Sequence, residues 1–456
     1  MTTATAHLST RAVRPLHTLD PAAPPDDLGW LDEAIGDARV VAIGESAHYN
    51  RESFQLRDRL LRHLAERHGF GAFAMETGFV EARLVDAWVR GAPGDAGRVA
   101  AHGLTSLMGM WTEMVDHLEA MRRRNTDSSR PVSFYGIDLP GSNASLLPGL
   151  DAVTAYLAEA DPDYRPDPAL RQTAATFAAG SVFSAQAALA AYVGLADSAK
   201  DALTAGLADL SARMTGRRLE YRRRTGGEAY ERALRTLHVT AALDTTIRAM
   251  LRGDQQAALY DRDAAIADTV QWILDREDRI VLAAHNGHVQ RWPTGFPGVP
   301  PATPMGMHLA ERLGPDYLPI GMTSGQGQML NVGPDFATGI LFAPMDPPRP
   351  GSLDALLHAS HDGPFATDLR HLDPADTTAI RTATAHRTGN GPHYADIDPL
   401  QAFDLLIHLP HLTPATPAPT ALAHTPTDVQ KPFTHWTSTT RRHSPQDNPT
   451  RINERR

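Results

Sequence analysis

The chain has 456 residues, of which 42% are hydrophobic and 21% are charged, as is ordinary for a folded globular protein. A net charge of −10 argues against a dedicated nucleic-acid binder, and the lack of cysteine excludes disulfides, thiolate nucleophiles and cysteine-type zinc sites. No apolar run approaches the roughly 18 residues of a membrane helix, and no signal-peptide pattern is visible, so we expect a cytoplasmic protein without a membrane partner.

The first 144 residues divide into a lead-in and the start of a core. Residues 1–27 are rich in Thr, Ala and Pro, and we expect them to be flexible. Residues 28–144 alternate helical patterns with the apolar runs RVVAIG, GFGAFAM and PVSFYGI. This alternation predicts βα units around a mainly parallel sheet, the first part of an α/β core with flanking helices.

The remaining chain falls into three predicted segments. Residues 145–270 are Ala-rich with helical periodicity and predict an all-helical insertion that forms a second lobe. Residues 271–410 resume the α/β core with the runs RIVLAA, YLPIGM, GILFA and AFDLLIHL. Residues 411–456 turn to Thr, Pro, Ala, His and Arg, and we expect this tail to be disordered because it offers little apolar surface to bury.

Four of the predicted strands run directly into ionisable side chains. In open α/β sheets the ligand crevice lies outside the carboxyl ends of parallel strands, so these side chains are expected to converge at one site. They are Glu45 with His48, Glu76, Asp138, and His285 with His288.

Each of these residues also has a plainer interpretation. Asp138 stands in a good turn sequence, and Glu76 alone would be typical of a helix cap. A lone histidine is more often a satisfied core or surface residue than a catalyst. The pair His285 and His288 favours a functional interpretation, because two imidazoles flank a tight Asn-Gly turn directly after an apolar strand.

The helix that follows Glu45 and His48 carries an arginine on its apolar side. At about 100° per residue, Arg57 falls within the arc of Phe54, Leu56, Leu60, Leu61 and Leu64. A guanidinium there requires a carboxylate partner or an anionic ligand, unless it reaches solvent at the edge of the stripe. His68 lies on the same face near Gly69, where a charge at the helix end is sufficient explanation.

Five blocks of sequence resemble the erythromycin esterase family. They are GESAH, RESFQLRDRLLRHLAERHGFGAFAMET, FYGIDL, RDAAIADTVQWIL and VLAAHNGHV, and the resemblance extends from about Leu28 to Pro410. It implies an α/β core and an all-helical portion with a deep cleft between them. The activity it implies is hydrolysis of the macrolactone ester of macrolide antibiotics, hence a role in antibiotic resistance and a small-molecule ester or lactone as the partner.

The resemblance also implies roles for individual residues. His48 matches the family's essential imidazole, which acts as general base on water. The family's other important polar positions fall on Glu45, Arg57, Glu76, His285 and His288. Ala47 and Tyr49 depart from the family's usual residues around the histidine, and Tyr49, Ser46 and Asp138 are expected to contact substrate.

These residues suit an ester hydrolysis that needs neither cofactor nor metal. Glu45 or Glu76 would orient His48, and Arg57 would hold one of these carboxylates as a bidentate clamp. His285 and His288 would donate to the oxyanion or protonate the departing alkoxide. No Gly-x-Ser-x-Gly elbow occurs, so Ser46 is interpreted as a turn hydroxyl rather than a nucleophile.

Three alternatives stay open at this point. The imidazoles and carboxylates could instead hold a metal for metal-assisted hydrolysis, although no HExxH motif occurs. The same site could serve a biosynthetic dehydration, lactonisation or acyl transfer on a natural product. A binding protein for an apolar molecule is less suited, because a pure binder gains nothing from six ionisable groups.

Overall fold

A nine-stranded sheet forms the centre of the computed structural model, which describes residues 6–296, 298–388 and 393–442. The strands of the described residues are, in chain order, β1 Arg14–Pro15, β2 Val40–Ile43, β3 Ala72–Gly78, β4 Ser133–Asp138, β5 Ile280–Ala283, β6 Thr294–Phe296, β7 Val299–Ala302, β8 Tyr317–Leu330, β9 Phe342–Pro344, β10 Phe365–Asp368, β11 Ala385–Arg387, β12 Tyr394–Asp396 and β13 Leu405–Leu412. β6 pairs with β7, and β11 with β12, in two separate hairpins.

The sheet is mainly parallel, as predicted. Its order is β1-β10-β13-β8-β2-β5-β3-β4, with β9 paired to β8. The neighbours from β13 to β4 are parallel, whereas β1, β10 and β9 add antiparallel pairs. The strands that end in the predicted site residues, β2, β5, β3 and β4, are consecutive in this order, so their carboxyl ends meet at one edge.

Helices cover both faces of the sheet. The helices of the described residues are α1 Gly29–Ile35, α2 Arg51–His68, α3 Ala82–Val89, α4 Ala96–Gly103, α5 Thr112–Asp127, α6 Leu147–Ala160, α7 Pro168–Thr176, α8 Ala185–Val193, α9 Asp197–Gly216, α10 Arg218–Thr225, α11 Gly227–Leu251, α12 Gln255–Leu274, α13 Asn286–Val289, α14 Met305–Leu313, α15 Leu353–His358, α16 Pro374–Thr382, α17 Pro399–Ala402, α18 Pro419–Leu422 and α19 Thr427–Arg442. None of these is long and apolar enough to cross a membrane.

Strand β2 shows how the core is divided. Val41 and Ile43 belong to the hydrophobic cluster on one face of the sheet, and Val40 and Ala42 belong to the cluster on the other. This follows from the period of two along a strand. All four side chains are fully buried, which explains why β2 is a continuous apolar run rather than an alternating one.

Helices α6 to α12 occupy the segment between β4 and β5 and share a third hydrophobic cluster, which includes Leu150, Leu207 and Leu237. The last of these helices continues to Leu274, four residues beyond the predicted end of the insertion. Phe79 joins the same cluster from the end of β3, so the helices pack on the sheet near its carboxyl edge. The division of the chain into separate lobes stays a prediction.

The expectation of a flexible segment over residues 1–27 is wrong for residues 6–27. Leu8 and Leu16 are buried, and β1 adds an edge strand to β10. Asp27 forms an ion pair with the buried Arg59. Single apolar residues, Leu8 and Leu16, therefore attach a largely polar segment to the core. Residues 1–5 lie outside the described residues.

The expectation of a disordered tail is wrong for residues 411–442. Val429, Phe433 and Trp436 are buried in the main hydrophobic cluster. They lie on α19 at spacings of four and three residues, which places them on one helix face. The Pro and Thr content of the segment concealed this periodicity. Residues 443–456 lie outside the described residues.

Candidate active site

The turn between β2 and α2 is held closely against the rest of the sheet. Gly44 lies so near Asn286 that a Cβ at this position would stand 2.1 Å from the Asn286 Oδ1 atom. Tyr49 has a φ of 61°, in the left-handed region, and so redirects the chain from the strand into the helix. The Asn50 side chain donates to two carbonyls of the turn at 3.0 and 3.2 Å. The turn is therefore a defined structure.

Arg57 of α2 forms a continuous chain of contacts with Glu45 and His48 of this turn. Glu45 Oε1 lies 2.6 Å from Nδ1 of His48, and Glu45 Oε2 accepts a hydrogen bond of 2.8 Å from Arg57 Nη1. The other terminal nitrogen of Arg57 donates to the carbonyls of Ile43 and Ala284 at 3.2 and 2.6 Å. Arg57 is buried within the apolar arc, as predicted, but it binds Glu45 through one nitrogen rather than as a bidentate clamp.

The environment of His48 favours its protonated form. Burial acts to lower the pKa of the imidazole, but the charge of Glu45 and its hydrogen bond outweigh burial and raise the pKa above 6.5. Glu76 adds to this effect, and Arg57 opposes it. Because Glu45 engages Nδ1, the Nε2 atom is the one left to face a ligand, and the side chain is 15% exposed.

His285 lies beside His48, with 5.1 Å between the ring centroids. Its backbone N–H donates to Glu76 Oε2 at 2.8 Å, and its Nδ1 accepts a hydrogen bond of 3.1 Å from the N–H of Gly287. An accepting Nδ1 places the ring proton on Nε2, which is buried and has no hydrogen-bond partner within the described ranges. Burial and the neighbouring His48 lower the pKa of His285 well below its usual value, so the ring is neutral at pH 7.

His288 has the opposite protonation state. Its Nδ1 lies 2.7 Å from Asp263 Oδ1, and its Nε2 lies 3.3 Å from Glu76 Oε1. Burial acts to lower the pKa of His288, but these two carboxylates outweigh it and raise the pKa to about 10. The neighbouring imidazolium in turn holds the pKa of Glu76 well below its usual range, against the effect of burial. Arg262, whose Nη1 lies 3.2 Å from Nε2, acts in the same direction as burial, but the net effect favours the protonated ring at pH 7.

Arg262 on α12 joins Glu76 to Asp138. It donates to the two carboxylate oxygens of Asp138 at 3.0 and 2.7 Å, and to Glu76 Oε1 at 3.2 Å. Both carboxylates are less than 10% exposed, so the guanidinium balances charges that would otherwise be costly to bury. The ends of β3, β4 and β5 are connected in this way to the helical segment.

The structure therefore brings the six predicted catalytic residues together, but it encloses the three predicted substrate contacts. Tyr49 is 6% exposed, stacks on Trp111 and donates its hydroxyl to the carbonyl of Ser106. Ser46 is 1% exposed, and Asp138 is engaged by Arg262. In this conformation these side chains are enclosed by the protein, so their contact with substrate stays a prediction.

Two residues of the site were not predicted, Arg262 and Asp263. Both stand in the block RDAAIADTVQWIL, but only its resemblance to the family was considered. Asp263 precedes the buried Ile266 and Ala267 by three and four residues, so it lies on the buried face of α12. The arc argument that found Arg57 would also have found this carboxylate.

Comparison with known proteins identifies the family. The erythromycin esterase family model matches residues 65–412, about three quarters of the chain. The chain belongs to the erythromycin esterase family. The resemblance noted from the sequence is thus confirmed. Glu76, His285 and His288 lie within the matched range, whereas Glu45, His48 and Arg57 precede it.

Two relatives of known name are similar in sequence to this chain. The chain is 32% identical to erythromycin esterase type II of Escherichia coli over 326 residues, 69% of this chain and 75% of the relative. It is 28% identical to type I of the same organism over 295 residues, 62% of this chain and 70% of the relative.

The solved structures share the fold. A Bacillus cereus protein superposes with a TM-score of 0.76 at 20% identity, covering 90% of this chain and 97% of that chain. A mutant of erythromycin esterase EreC in its open conformation gives 0.74 at 22% identity, covering 88% and 98%. A succinoglycan biosynthesis protein gives 0.70 at 22% identity, covering 89% and 96%. The α/β architecture is therefore that of the family.

Proposed function

We propose that this chain hydrolyses a carboxylic ester of the macrolactone type, with His48 as the general base that activates water. The contact of Glu45 with Nδ1 of His48 carries the proposal. It fixes the tautomer with the proton on Nδ1, so that the lone pair of Nε2 is directed away from the carboxylate and can accept a proton from water. Arg57 keeps Glu45 in place from the opposite side.

His285 supplies the second requirement, stabilisation of the oxyanion. Its neutral ring carries a proton on Nε2 that is buried and unused within the described part of the chain, 5.1 Å ring to ring from the base. A preorganised N–H of this kind stabilises charge that develops in a site shielded from water. Its low pKa keeps the ring neutral, so that it donates a hydrogen bond without giving up its proton.

His48 alone can carry out both proton transfers of the reaction. Water loses a proton to Nε2 as its oxygen bonds to the ester carbon, and the carbonyl oxygen takes the negative charge. When the tetrahedral intermediate collapses, the carbon–oxygen bond to the alcohol breaks and the His48 imidazolium returns the proton to the alkoxide. The products are a carboxylic acid and an alcohol, which in a lactone are the two ends of one opened chain.

His288 has a supporting part in this mechanism. Its pKa of about 10 makes it a poor proton donor near neutral pH, because it holds its proton between two carboxylates. The charge of His288 keeps Glu76 ionised, and Glu76 in turn holds the backbone of His285. We therefore assign His288 a positioning part rather than that of general acid.

The metal-assisted alternative is disfavoured by the fixed charges around the carboxylates. Glu45 is bound by Arg57, and Glu76 by Arg262 and the charged His288. A divalent cation at these oxygens would have to displace the guanidinium groups or share the oxygens with them. Water activation by His48 meets the chemical need without such a displacement.

Two relatives from Escherichia coli are named erythromycin esterases, and they direct the choice of substrates for a test. The chain is incubated with a panel of macrolactones and linear esters in water enriched in oxygen-18, and products are followed by mass spectrometry. Hydrolysis adds one water and places the heavy oxygen in the new carboxyl group.

The control for this test is the His48→Gln variant, which should bind the same compounds and convert them about 10²–10⁴ times more slowly. Loss of one water from a hydroxy acid added to the panel would support lactonisation instead. Binding without any change in mass across the panel would contradict the hydrolase proposal.

A further inference from the structure

A second cluster of imidazole and carboxylate groups lies far from the candidate active site. Asp32 on α1 faces two histidines of α2, with Asp32 Oδ1 2.7 Å from Nε2 of His63 and 2.7 Å from Nε2 of His68. One ligand atom from each of the three side chains can be chosen so that all lie within 4.8 Å of one another. The α2 helix is 18 residues long, so its two ends are about 27 Å apart and this cluster is remote from the His48 turn.

The two rings converge because the local structure fixes both of them. The His63 side chain is only 2% exposed, and its Nδ1 is buried without a hydrogen-bond partner among the residues described, so Nε2 is its one engaged atom. His68 ends α2 directly before Gly69, whose φ is 69°, and its carbonyl accepts a hydrogen bond of 3.0 Å from Arg279. Both imidazoles are thereby aimed at one carboxylate oxygen.

We propose that Asp32, His63 and His68 form a zinc site that fastens α1 to the end of α2. Two imidazole nitrogens and a carboxylate oxygen are ligands that zinc accepts, and a water molecule would complete a tetrahedral shell. The present oxygen-to-nitrogen distances need to lengthen by roughly 0.6 Å for ligands at about 2.1 Å from the ion. Asp32 and His68 are 27% and 19% exposed, which gives them room to move.

Arg67 is the positive group that competes with a cation for the charge of Asp32. Its Nη2 lies 3.2 Å from Asp32 Oδ2, the oxygen that does not face the histidines. The side chain is 59% exposed, so its guanidinium can turn into solvent at little cost. This distinguishes the cluster from the active site, where the competing guanidinium of Arg57 is only 4% exposed.

Zinc binding to the purified, metal-free protein is the direct test, measured by calorimetry and by elemental mass spectrometry after dialysis. We expect one zinc ion per chain and an unfolding temperature that rises with zinc concentration and falls again with a chelator. His68→Gln should weaken binding by about 100-fold or more, because it removes a ligand. The His68 side chain is partly exposed at the end of α2, so the substitution should be tolerated. The circular dichroism of the metal-free His68→Gln variant shows whether this variant folds.

A matched control comes from another pair of histidines. His102 and His424 lie 6.4 Å apart, ring to ring, and Asp95 is 3.4 Å from His424, so they too combine two imidazoles with a carboxylate. The double substitution His102→Gln and His424→Gln should leave zinc binding unchanged. Equal weakening in this control and in His68→Gln would reveal adventitious binding to surface histidines, and no binding to the wild type would also overturn the proposal.

Cobalt provides a second readout that does not depend on stability. Cobalt at a tetrahedral site with nitrogen ligands gives visible absorption bands, which His68→Gln and Asp32→Asn should remove. Esterase activity should be the same with and without zinc, and His48→Gln should still bind zinc. Failure of the zinc site and failure of the esterase proposal are therefore separate results.

Discussion

His48 is subject to two opposing effects on the same ring. Burial favours the neutral imidazole, whereas Glu45 at 2.6 Å favours the imidazolium, and the carboxylate prevails. A base has to be neutral to take a proton from water, yet a higher pKa makes it a stronger base. Glu45 therefore makes His48 the stronger base, which explains why the imidazole and the carboxylate are placed in one turn.

The first prediction concerns the pH profile of kcat/KM. Activity should fall as the pH drops below the raised pKa of His48, so the acidic limb should lie above pH 6.5. In Glu45→Gln the limb should move to lower pH and the plateau should fall, because the ring loses both the charge and its fixed tautomer. His48→Gln should lose about 10²–10⁴ in rate. An unchanged limb in Glu45→Gln would contradict the assignment.

The second prediction compares two buried arginines on α2. Arg57→Met leaves Glu45 without its guanidinium partner, which should cost about 3–5 kcal/mol of stability and also lower the rate. Arg59→Met removes the partner of Asp27, so it should destabilise the fold in a similar way. Thermal unfolding and kcat are measured for both variants.

Only Arg57→Met should lower the rate of the folded enzyme and disturb its pH profile, because only Arg57 holds Glu45. Equal effects of the two substitutions on kcat would show that Arg57 serves the fold alone.

For single residues, the sequence allowed prediction of those site residues that stand out from the periodicity of a helix or follow directly after a strand. Arg57 was found because a charge on an apolar arc needs a partner, but its partner was left open between Glu45 and Glu76. Which carboxylate it meets depends on the path of the turn after β2 and on the left-handed Tyr49, and no periodicity encodes either. Arg262 was missed because its partners Asp138 and Glu76 come from strands that are distant in sequence.

Buried ion pairs connect the helices and strands around the site. His288 on α13 joins Asp263 on α12 and Glu76 on β3, and Arg262 adds the end of β4. The carboxyl edge of the sheet is thus connected to the last helix of the helical segment through ion pairs as well as through apolar contacts, such as that of Phe79 with Trp272. Such an arrangement fixes the orientation of His285 and His288 on a helix of only four residues, α13.

The third prediction follows from the pKa of His288, raised from 6.5 to about 10. A group with a raised folded pKa contributes stability that is complete below its unfolded pKa and is lost as the pH rises through the folded one. His288 should therefore contribute a fall in stability between pH 6.5 and about pH 10. In Asp263→Asn this slope should become shallower, and the stability at pH 6 should drop.

Urea unfolding at pH 6, 8 and 10 measures this slope. Asp268→Asn is the control on the same helix, because Asp268 is 53% exposed and its ion pair with Arg312 contributes little. A slope that is equal in Asp263→Asn and in the wild type would exclude His288 as its source.

The elements themselves were predictable to different degrees. The seven apolar runs each overlap a strand. Six of these strands have parallel neighbours, and buried parallel strands need continuous apolar sequence, whereas the seventh, β9, pairs antiparallel with β8. The edge strand β1 was not predicted, since its two residues, Arg14 and Pro15, are exposed and pair only with a strand more than 300 residues away. Residues 413–442 were misjudged because composition was weighed there before periodicity.

Across the whole molecule, the C-terminal segment connects parts that are far apart in sequence. Beside the His48 turn, the N–H of Ala415 donates to the carbonyl of Tyr49 at 2.9 Å, and Thr413 accepts from the N–H of Arg51 at 3.0 Å. Further on, Asp428 accepts a hydrogen bond of 2.6 Å from Ser181 of the helical segment. The segment thus contacts both the His48 turn and the helical segment.

Aromatic packing reinforces these connections. Trp111 stacks on Tyr49 at 5.4 Å and contacts Phe433 of α19 at 5.1 Å. The left-handed Tyr49 therefore rests on a ring that is itself supported by the C-terminal helix. Phe183 of the helical segment stacks on Phe336, which lies between β8 and β9, at 5.2 Å. The order of the His48 turn consequently depends on residues near the end of the chain.

The fourth prediction is that two truncations separate the contribution of the C-terminal segment to stability from its contribution to the order of the His48 turn. Ending the chain before Thr427 removes Val429, Phe433 and Trp436, each worth about 1.5–3 kcal/mol when buried, so the unfolding temperature should fall by many degrees. Ending it before Thr413 should in addition release the turn and lower kcat in the protein that still folds. Asp428→Ala, which removes the acceptor of the hydrogen bond from Ser181, is the control and should change stability by about 1 kcal/mol. Calorimetry measures the stability of each variant, and kcat is measured at a temperature where all variants are folded.

Two outcomes would contradict this prediction. Truncation before Thr413 without loss of stability would show that the segment does not pack as described. Full activity in that variant would show that the His48 turn is ordered without the segment.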